Sequence, residues 1–297
     1  MEPDRKKKSI LGIGELLWDI LPGGRRMGGA VANFIYFCRL SGLRSTLVSR
    51  VGEDDSGKEL VSAVEELGLE TEYIQTDPEH STGTVDVELD EKGIPEFTIH
   101  EHTAWDYIEF VPELEERAAQ ADGVCFGTLC QRSSVARHTV RSIVERVPEK
   151  ALRVYDINLR QHFYNEEIIR WSCVNADVVK LNEDEVNTAG TMFALSGDMC
   201  GITEGLIEMF GISMVVLTRG EEGSLIFTGE GVYEHPGYPA EVRDSVGAGD
   251  SFTAAVTAGL LNGTDIDDFH DRANRIAAFV CSQEGATPPV PREILEP

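Results

Sequence analysis

The residues best suited to chemistry lie late in the chain, in the run Asp244-Ser245-Val246-Gly247-Ala248-Gly249-Asp250-Ser251-Phe252. Beyond it Phe252, Ala255, Val256, Gly259 and Leu260 recur at helical spacing, so a buried helix is expected to begin near Ala248. Small residues at 247 to 249 leave their backbone N–H groups unobstructed at that helix's N-terminus. Unpaired amides and the helix dipole together make an anion site. Asp250 falls in the first turn, beside the anion, where the dipole is expected to hold its carboxylate ionised and ready to accept a proton. A capping aspartate preceded by glycines needed only for packing accounts for the same residues.

Other polar groups follow apolar runs. Asp156, Asn158 and Arg160 come after Leu152–Tyr155, Asn182 and Glu185 after Val178–Leu181, and Thr218, Gly220 and Gly223 after Met214–Leu217. Ligands of open α/β sheets bind at the carboxyl ends of strands, so these groups are candidates to line one crevice, although each alone also reads as a turn or cap residue. Near the start, Asp19 follows the first apolar run and Gly28-Gly29-Ala30-Val31-Ala32-Asn33 opens a helix. A carboxylate and an amide so placed can hold sugar hydroxyls. Gly52-Glu53-Asp54-Asp55-Ser56-Gly57-Lys58-Glu59 has the glycine and lysine spacing of a P-loop, but Glu59 stands where a Mg²⁺-binding hydroxyl belongs. Ser56 and Glu59 read instead as a capping box for a helix that Gly68 closes. His100-Glu101-His102 has the alternation of an exposed strand face and lacks a third metal ligand.

The elements that must position these groups alternate. Apolar runs at Ile10–Leu17, Thr46–Val51, Gly123–Gly127, Leu152–Tyr155, Val178–Leu181 and Met214–Leu217 are separated by helical spacing at Ala30–Leu40, Val135–Val147 and Asn165–Cys173. That order predicts an α/β fold with a mostly parallel sheet covered on both faces. One region differs. Thr84–Leu89 alternates polar and apolar residues, turns at Asp90–Gly93 and resumes at Phe97–Ile99, as a half-exposed hairpin does. We read 1–297 as one α/β domain carrying a small β lid, with lid strands at about 15–27 and 82–108. An edge hairpin without function fits the same alternation.

The chain has 297 residues, with 52 Asp and Glu against 26 Lys and Arg, a formal charge of −26. Such a surface repels nucleic acid and anionic lipid. Arg5–Lys8 reads as a short solvated tail. The six cysteines form no C-x-x-C pair and mostly sit in apolar runs, which predicts buried free thiols in a reducing compartment. No segment has the length and hydropathy of a signal peptide or a membrane span, so the cytoplasm is the expected location.

Assembled, these residues resemble the ribokinase/PfkB family of carbohydrate kinases, and within it the fructokinase-like branch. The resemblance spans nearly the whole chain: an N-terminal signature at Gly28, Gly29, Ala32 and Asn33, the C-terminal signature at Asp244–Phe252, an N-x-x-E motif at Asn182–Glu185 and a D-x-N-x-R strand end at Asp156–Arg160. It implies a ribokinase-like fold, ATP and Mg²⁺ as cofactors, and transfer of the γ-phosphoryl group to a sugar hydroxyl. By resemblance Asp250 is the base, the amides of Gly247, Ala248 and Gly249 are the anion hole, and Arg160 stabilises the moving phosphoryl group. Asn182 and Glu185 organise Mg²⁺ and phosphates through water. Thr218, Gly220, Gly223 and Asn274 form the nucleotide pocket. Asp19, Gly28, Gly29 and Asn33 meet the sugar. The family also has a monovalent-cation (K⁺) site near Asp244, built mostly from backbone oxygens.

Ser245 stands where Thr is more usual, and Val31 where fructokinase-like members often carry Pro. The Gly14–Asp19 stretch points to D-fructose as acceptor. Arg25 and Arg26, just before the sugar motif, keep a sugar phosphate in play beside ribose, a nucleoside and 2-keto-3-deoxygluconate. A homodimer through the lid strands and an idle sugar-binding regulator are the remaining expectations, the second disfavoured by an intact glycine loop with its aspartate.

Overall fold

The computed structural model describes residues 7–89 and 95–296. Residues 1–6, with part of the expected basic tail, residues 90–94, with the turn expected at Asp90–Gly93, and residue 297 lie outside them. Among the described residues the strands are β1 (Ser9–Ile13), β2 (Leu17–Leu21), β3 (Gly24–Gly28), β4 (Arg44–Gly52), β5 (Ile74–Asp77), β6 (Gly83–Leu89), β7 (Pro95–Ile99), β8 (Gly123–Gly127), β9 (Leu152–Asp156), β10 (Val178–Asn182), β11 (Met214–Thr218), β12 (Ser224–Thr228) and β13 (Gly231–His235). The helices are α1 (Ala30–Leu40), α2 (Asp55–Glu66), α3 (Pro112–Ala118), α4 (Ser134–Arg146), α5 (Glu166–Val174), α6 (Glu183–Met192), α7 (Met199–Phe210), α8 (Ala248–Asn262), α9 (Ile266–Cys281) and α10 (Arg292–Leu295).

Nine strands form one sheet in the order β13-β12-β11-β10-β9-β8-β1-β4-β5. It is parallel from β5 to β11, and β12 and β13 run antiparallel at one edge. Successive strand residues feed opposite cores, as the pleat requires. Val124 and Phe126 join Leu11 and Tyr155 beneath α4 to α7. Cys125 joins Ile10, Val154 and Val178 beneath α1, α8 and α9. The strand order reverses at β1, between β4 and β8. In an open sheet the crevice at such a reversal is the usual ligand site.

A second sheet, ordered β3-β2-β6-β7, shares no strand pairing with the first, although its Leu17, Val85, Val87 and Ile99 are buried in one core with Leu11, Ile13 and Val48. It pairs β2 with β3 and β6 with β7 antiparallel, and β2 with β6 parallel. The run Ile10–Leu17, expected as one strand, is therefore two ends of different strands in different sheets. The chain leaves β1 at Gly14, where a Cβ would meet Val31 Cγ2 at 2.5 Å, and re-enters as β2. Helix α2 also differs from expectation. Its cap is Asp54, which accepts a 2.6 Å hydrogen bond from Gly57 N, so the helix starts ahead of Ser56 and no Ser56–Glu59 box exists. Asp54 wins because its carboxylate also accepts from Thr82 N and Oγ1, fixing the entry to β6. Four cysteines are buried, but Cys200 is exposed at the start of α7. No described helix is long and apolar enough to cross a membrane.

Candidate active site

Helix α8 begins at Ala248 with Gly247 as its N-cap, at φ 83°, a left-handed conformation that glycine adopts without strain. A side chain there would also strike the Ala286 carbonyl. The cap has no side-chain hydrogen bond, and Asp250 occupies the third helical position. Asp250 is thus no cap. Its carboxylate accepts a 2.9 Å hydrogen bond from Asn33 Nδ2, on α1, which joins the two signatures in space. Of the three loop amides, Ala248 N already has a 3.3 Å bond to the Ser245 carbonyl, while Gly247 N and Gly249 N have no acceptor among the described residues.

Burial overrides the dipole at Asp250. Desolvation first, and the neighbouring Asp156 carboxylate second, push its carboxyl up to about 7, against the opposing effects of Asn33, Lys180 and Arg160. The expectation of a permanently ionised group is corrected accordingly: near neutrality the proton is poised between bound and free, as suits a base that must take one up.

Two spaces meet at this loop. A groove of about 980 Å³ is lined by Asn182, Thr218, Gly220, Gly223, Ala248, Gly249 and Asn274, among others, and lies beyond the carboxyl ends of β10 and β11. A cleft of only about 10 Å³ on the other side, at the strand reversal, with room for about one water, is lined by Glu15, Ala30, Thr128, Asp156, Asn158 and Asp250. Adjacent residues therefore face opposite spaces: Gly249 the groove, Asp250 the cavity.

Asn274 is buried at the groove wall, where Ser224 Oγ and the His270 carbonyl hold its amide. Asn182 and Glu185 form a reciprocal capping box for α6: Asn182 Oδ1 accepts from Glu185 N at 2.9 Å, and Glu185 Oε2 from Asn182 N at 2.8 Å. Glu185 Oε1 accepts from Leu159 N at 2.9 Å, so both carboxylate oxygens already serve backbone amides. Such a group can reach a divalent cation through water and is poorly placed as its direct ligand. No cluster of three or more metal-ligating side chains occurs among the described residues. Asp244 is likewise engaged, by Val246 N, Gly285 N and Arg26, and does not fit as a side-chain ligand for a monovalent cation.

Asp19, on β2, packs against Gly28, and burial pushes its carboxyl up to about 6. Gly29, at φ 116°, lets the start of α1 approach the Glu15 carbonyl. Arg160 is exposed and has no carboxylate partner among the described residues, and its charge reaches both Asp19 and Asp250. The two arginines before the sugar motif are not free. Arg25 pairs with Glu59 and stacks over Trp18, while Arg26 pairs with Asp244 and Glu284. His100 bonds Asp86 at 2.7 Å, across β6 and β7.

Two groups escaped the sequence reading. Glu15 is buried at the cavity wall, its carboxyl raised chiefly by burial, and accepts from Ala30 N. Lys180 is buried in the middle of apolar β10, 3.4 Å from Asp156. Neither has a local signal. A charged residue inside an apolar run of strand length was the only available hint.

A profile of the pfkB family of carbohydrate kinases matches residues 22–293. The sugar kinase PH1459 of Pyrococcus horikoshii is 27% identical over 301 residues, covering 93% of this chain and 91% of that protein. Its crystal structure in complex with ATP superposes with a TM-score of 0.77 over 94% of each chain. An Escherichia coli fructokinase is 28% identical over 304 residues, 96% of this chain and 97% of that one. A nucleoside kinase of Methanothermobacter thermautotrophicus is 27% identical over 272 residues, 89% of this chain and 81% of that one. With a family match across nearly its whole length and a glycine-capped helix start beside a buried acid, the chain belongs to the pfkB family and is an ATP-dependent carbohydrate kinase.

Proposed function

We propose that the enzyme phosphorylates a hydroxyl of a neutral sugar, D-fructose first, with Asp250 as the base. The observation that carries this reading is the placing of Gly249 and Asp250 on opposite spaces, so that a nucleotide in the groove and a sugar hydroxyl reaching the mouth of the cavity would meet across one peptide unit. In-line phosphoryl transfer is mostly positioning and charge stabilisation. The γ-phosphoryl group lies against the free amides of Gly247 and Gly249, with Ala248 N contributing once its weak bond to Ser245 yields. Asp250 takes the proton of the attacking hydroxyl, and Asn33 keeps the carboxylate turned toward it. Arg160 supplies a mobile positive charge to the transferring group. Asp19, Gly28 and Gly29 hold sugar hydroxyls, and Thr218, Gly220, Gly223 and Asn274 hold the nucleotide. Bound Mg²⁺ would neutralise the phosphates, with Asn182 and Glu185 anchoring its water.

A neutral acceptor is favoured over a sugar phosphate on electrostatic grounds. Glu15, Asp156 and Asp250 line the cavity, and both arginines near it are already ion-paired. A nucleoside or ribose satisfies the same argument, and fructose is put first on the Gly14–Asp19 resemblance and the fructokinase relative. Comparing kcat/KM for fructose, ribose, a nucleoside, 2-keto-3-deoxygluconate and fructose 6-phosphate tests it. Fructose is expected to lead. A preference for the phosphorylated sugar would overturn the reading and return Arg25 and Arg26 to the substrate site.

A further inference from the structure

A lysine in the centre of a parallel sheet needs a reason. Lys180 is 7% exposed, and its strand neighbours Val179 and Leu181 belong to the core under α4 to α7. Its own side chain faces α8. There its ammonium lies 3.4 Å from Asp156 Oδ1, and a Cβ on Gly249 would stand 3.0 Å from Nζ. Asp156 continues the connection, because Thr253 Oγ1 lies 2.8 Å from Asp156 Oδ2 and 2.9 Å from the Gly249 carbonyl and can donate its one proton to either. Stability does not account for the pair, since buried ion pairs are often replaced by apolar residues at no loss.

We propose that Lys180 is a positioning residue for phosphoryl transfer: its ammonium, seated between Asp156 and Gly249, backs the glycine loop with a fixed positive charge and offsets the repulsion of Asp156 on Asp250. The proposal rests on the reading of Asp250 as the base. The groups around Asp250 are Asp156 from β9, Lys180 from β10, the Cys125 thiol from β8, Arg160 from the segment after β9, Glu15 from the segment after β1 and the Asn33 amide from α1. Of these, Lys180 is the buried cation. With its charge present the Asp250 carboxylate forms more easily; without it, only the exposed Arg160 and the Asn33 amide oppose Asp156.

Lys180→Met, Lys180→Arg and Asp156→Asn, each checked by melting curve, decide the matter through the pH dependence of kcat/KM for the sugar. Lys180→Met should move the acid limb up by on the order of one pH unit. The loss is then about five-fold at pH 7 and disappears in alkali. Lys180→Arg should keep the limb near that of the parent, and Asp156→Asn should move it down. A merely structural lysine would lower the rate by one factor at every pH, and that outcome, or an unmoved limb, overturns the proposal. If Lys180→Met does not fold, an acid limb that fails to move down in Asp156→Asn overturns it alone. Activity retained in Asp250→Asn would sink the base itself. An inactive Asp250→Asn with no shift in Lys180→Met would sink only the lysine.

Discussion

At the residue scale the decisive group is Asp250, and its two properties can be separated. As the proposed base it would contribute on the order of 10²–10⁴-fold, so Asp250→Asn should lose kcat in that range with modest change in either KM. Because burial and Asp156 push the carboxyl up to about 7, kcat/KM for sugar should fall below neutrality as the proton binds. The stability sign is the reverse. A carboxyl whose folded value is raised contributes stability that is fully present below the unfolded value and is lost as pH climbs through about 7. Asp250→Asn should therefore melt higher than the parent at pH 8, with the difference vanishing near pH 4. A variant that is folded, within a few-fold of parental kcat and no more stable in mild alkali would remove Asp250 from both roles.

At the element scale, the four-stranded sheet packs Leu17, Val85, Val87 and Ile99 into the core of the body and is also hydrogen-bonded to it near the site. Gln161 Nε2 donates to the Phe97 carbonyl, Arg132 donates to the His100 carbonyl and pairs with Asp106, and Trp18 Nε1 donates to the Ser56 carbonyl. Gln161 lies one residue beyond Arg160 and, like Asn158, has a left-handed backbone, at φ 47° and 39° respectively. The segment that carries Arg160 is thus bonded to β7. We propose that this sheet closes over bound sugar, excluding water and suppressing ATP hydrolysis. Saturating sugar should slow amide exchange across Gly23–Gly28 and Gly83–Leu89. Unchanged protection there would leave the sheet a static edge feature.

At the scale of the whole molecule, the charge of −26 repels like surfaces, and that repulsion is screened by salt. The small sheet carries exposed apolar side chains, Ile20 at 37% and Phe97 at 49%. We propose that two copies pair through these strands. Sedimentation velocity should show a dimer whose population rises with added salt and falls in Phe97→Glu. A monomer at all salt concentrations would exclude the pairing.

Much of this protein was legible in its residues because the physics involved is local. Apolar runs bounded by turns located most strands of the large sheet, with β8 and α1 matching to the residue, since strand and helix periodicities are properties of short segments. The glycine loop with its acid, and the Asn182–Glu185 pair, declared themselves by spacing. What tertiary structure alone decided concerns groups distant in sequence. Asn33 meets Asp250 across 217 positions, and Lys180 meets Asp156 from the next strand. Arg25 and Arg26 are consumed by Glu59, Asp244 and Glu284, which no pattern could pair with them. Burial set the state of Asp250 against the expectation from its helix dipole, because desolvation depends on the whole surrounding core and the dipole on a single turn.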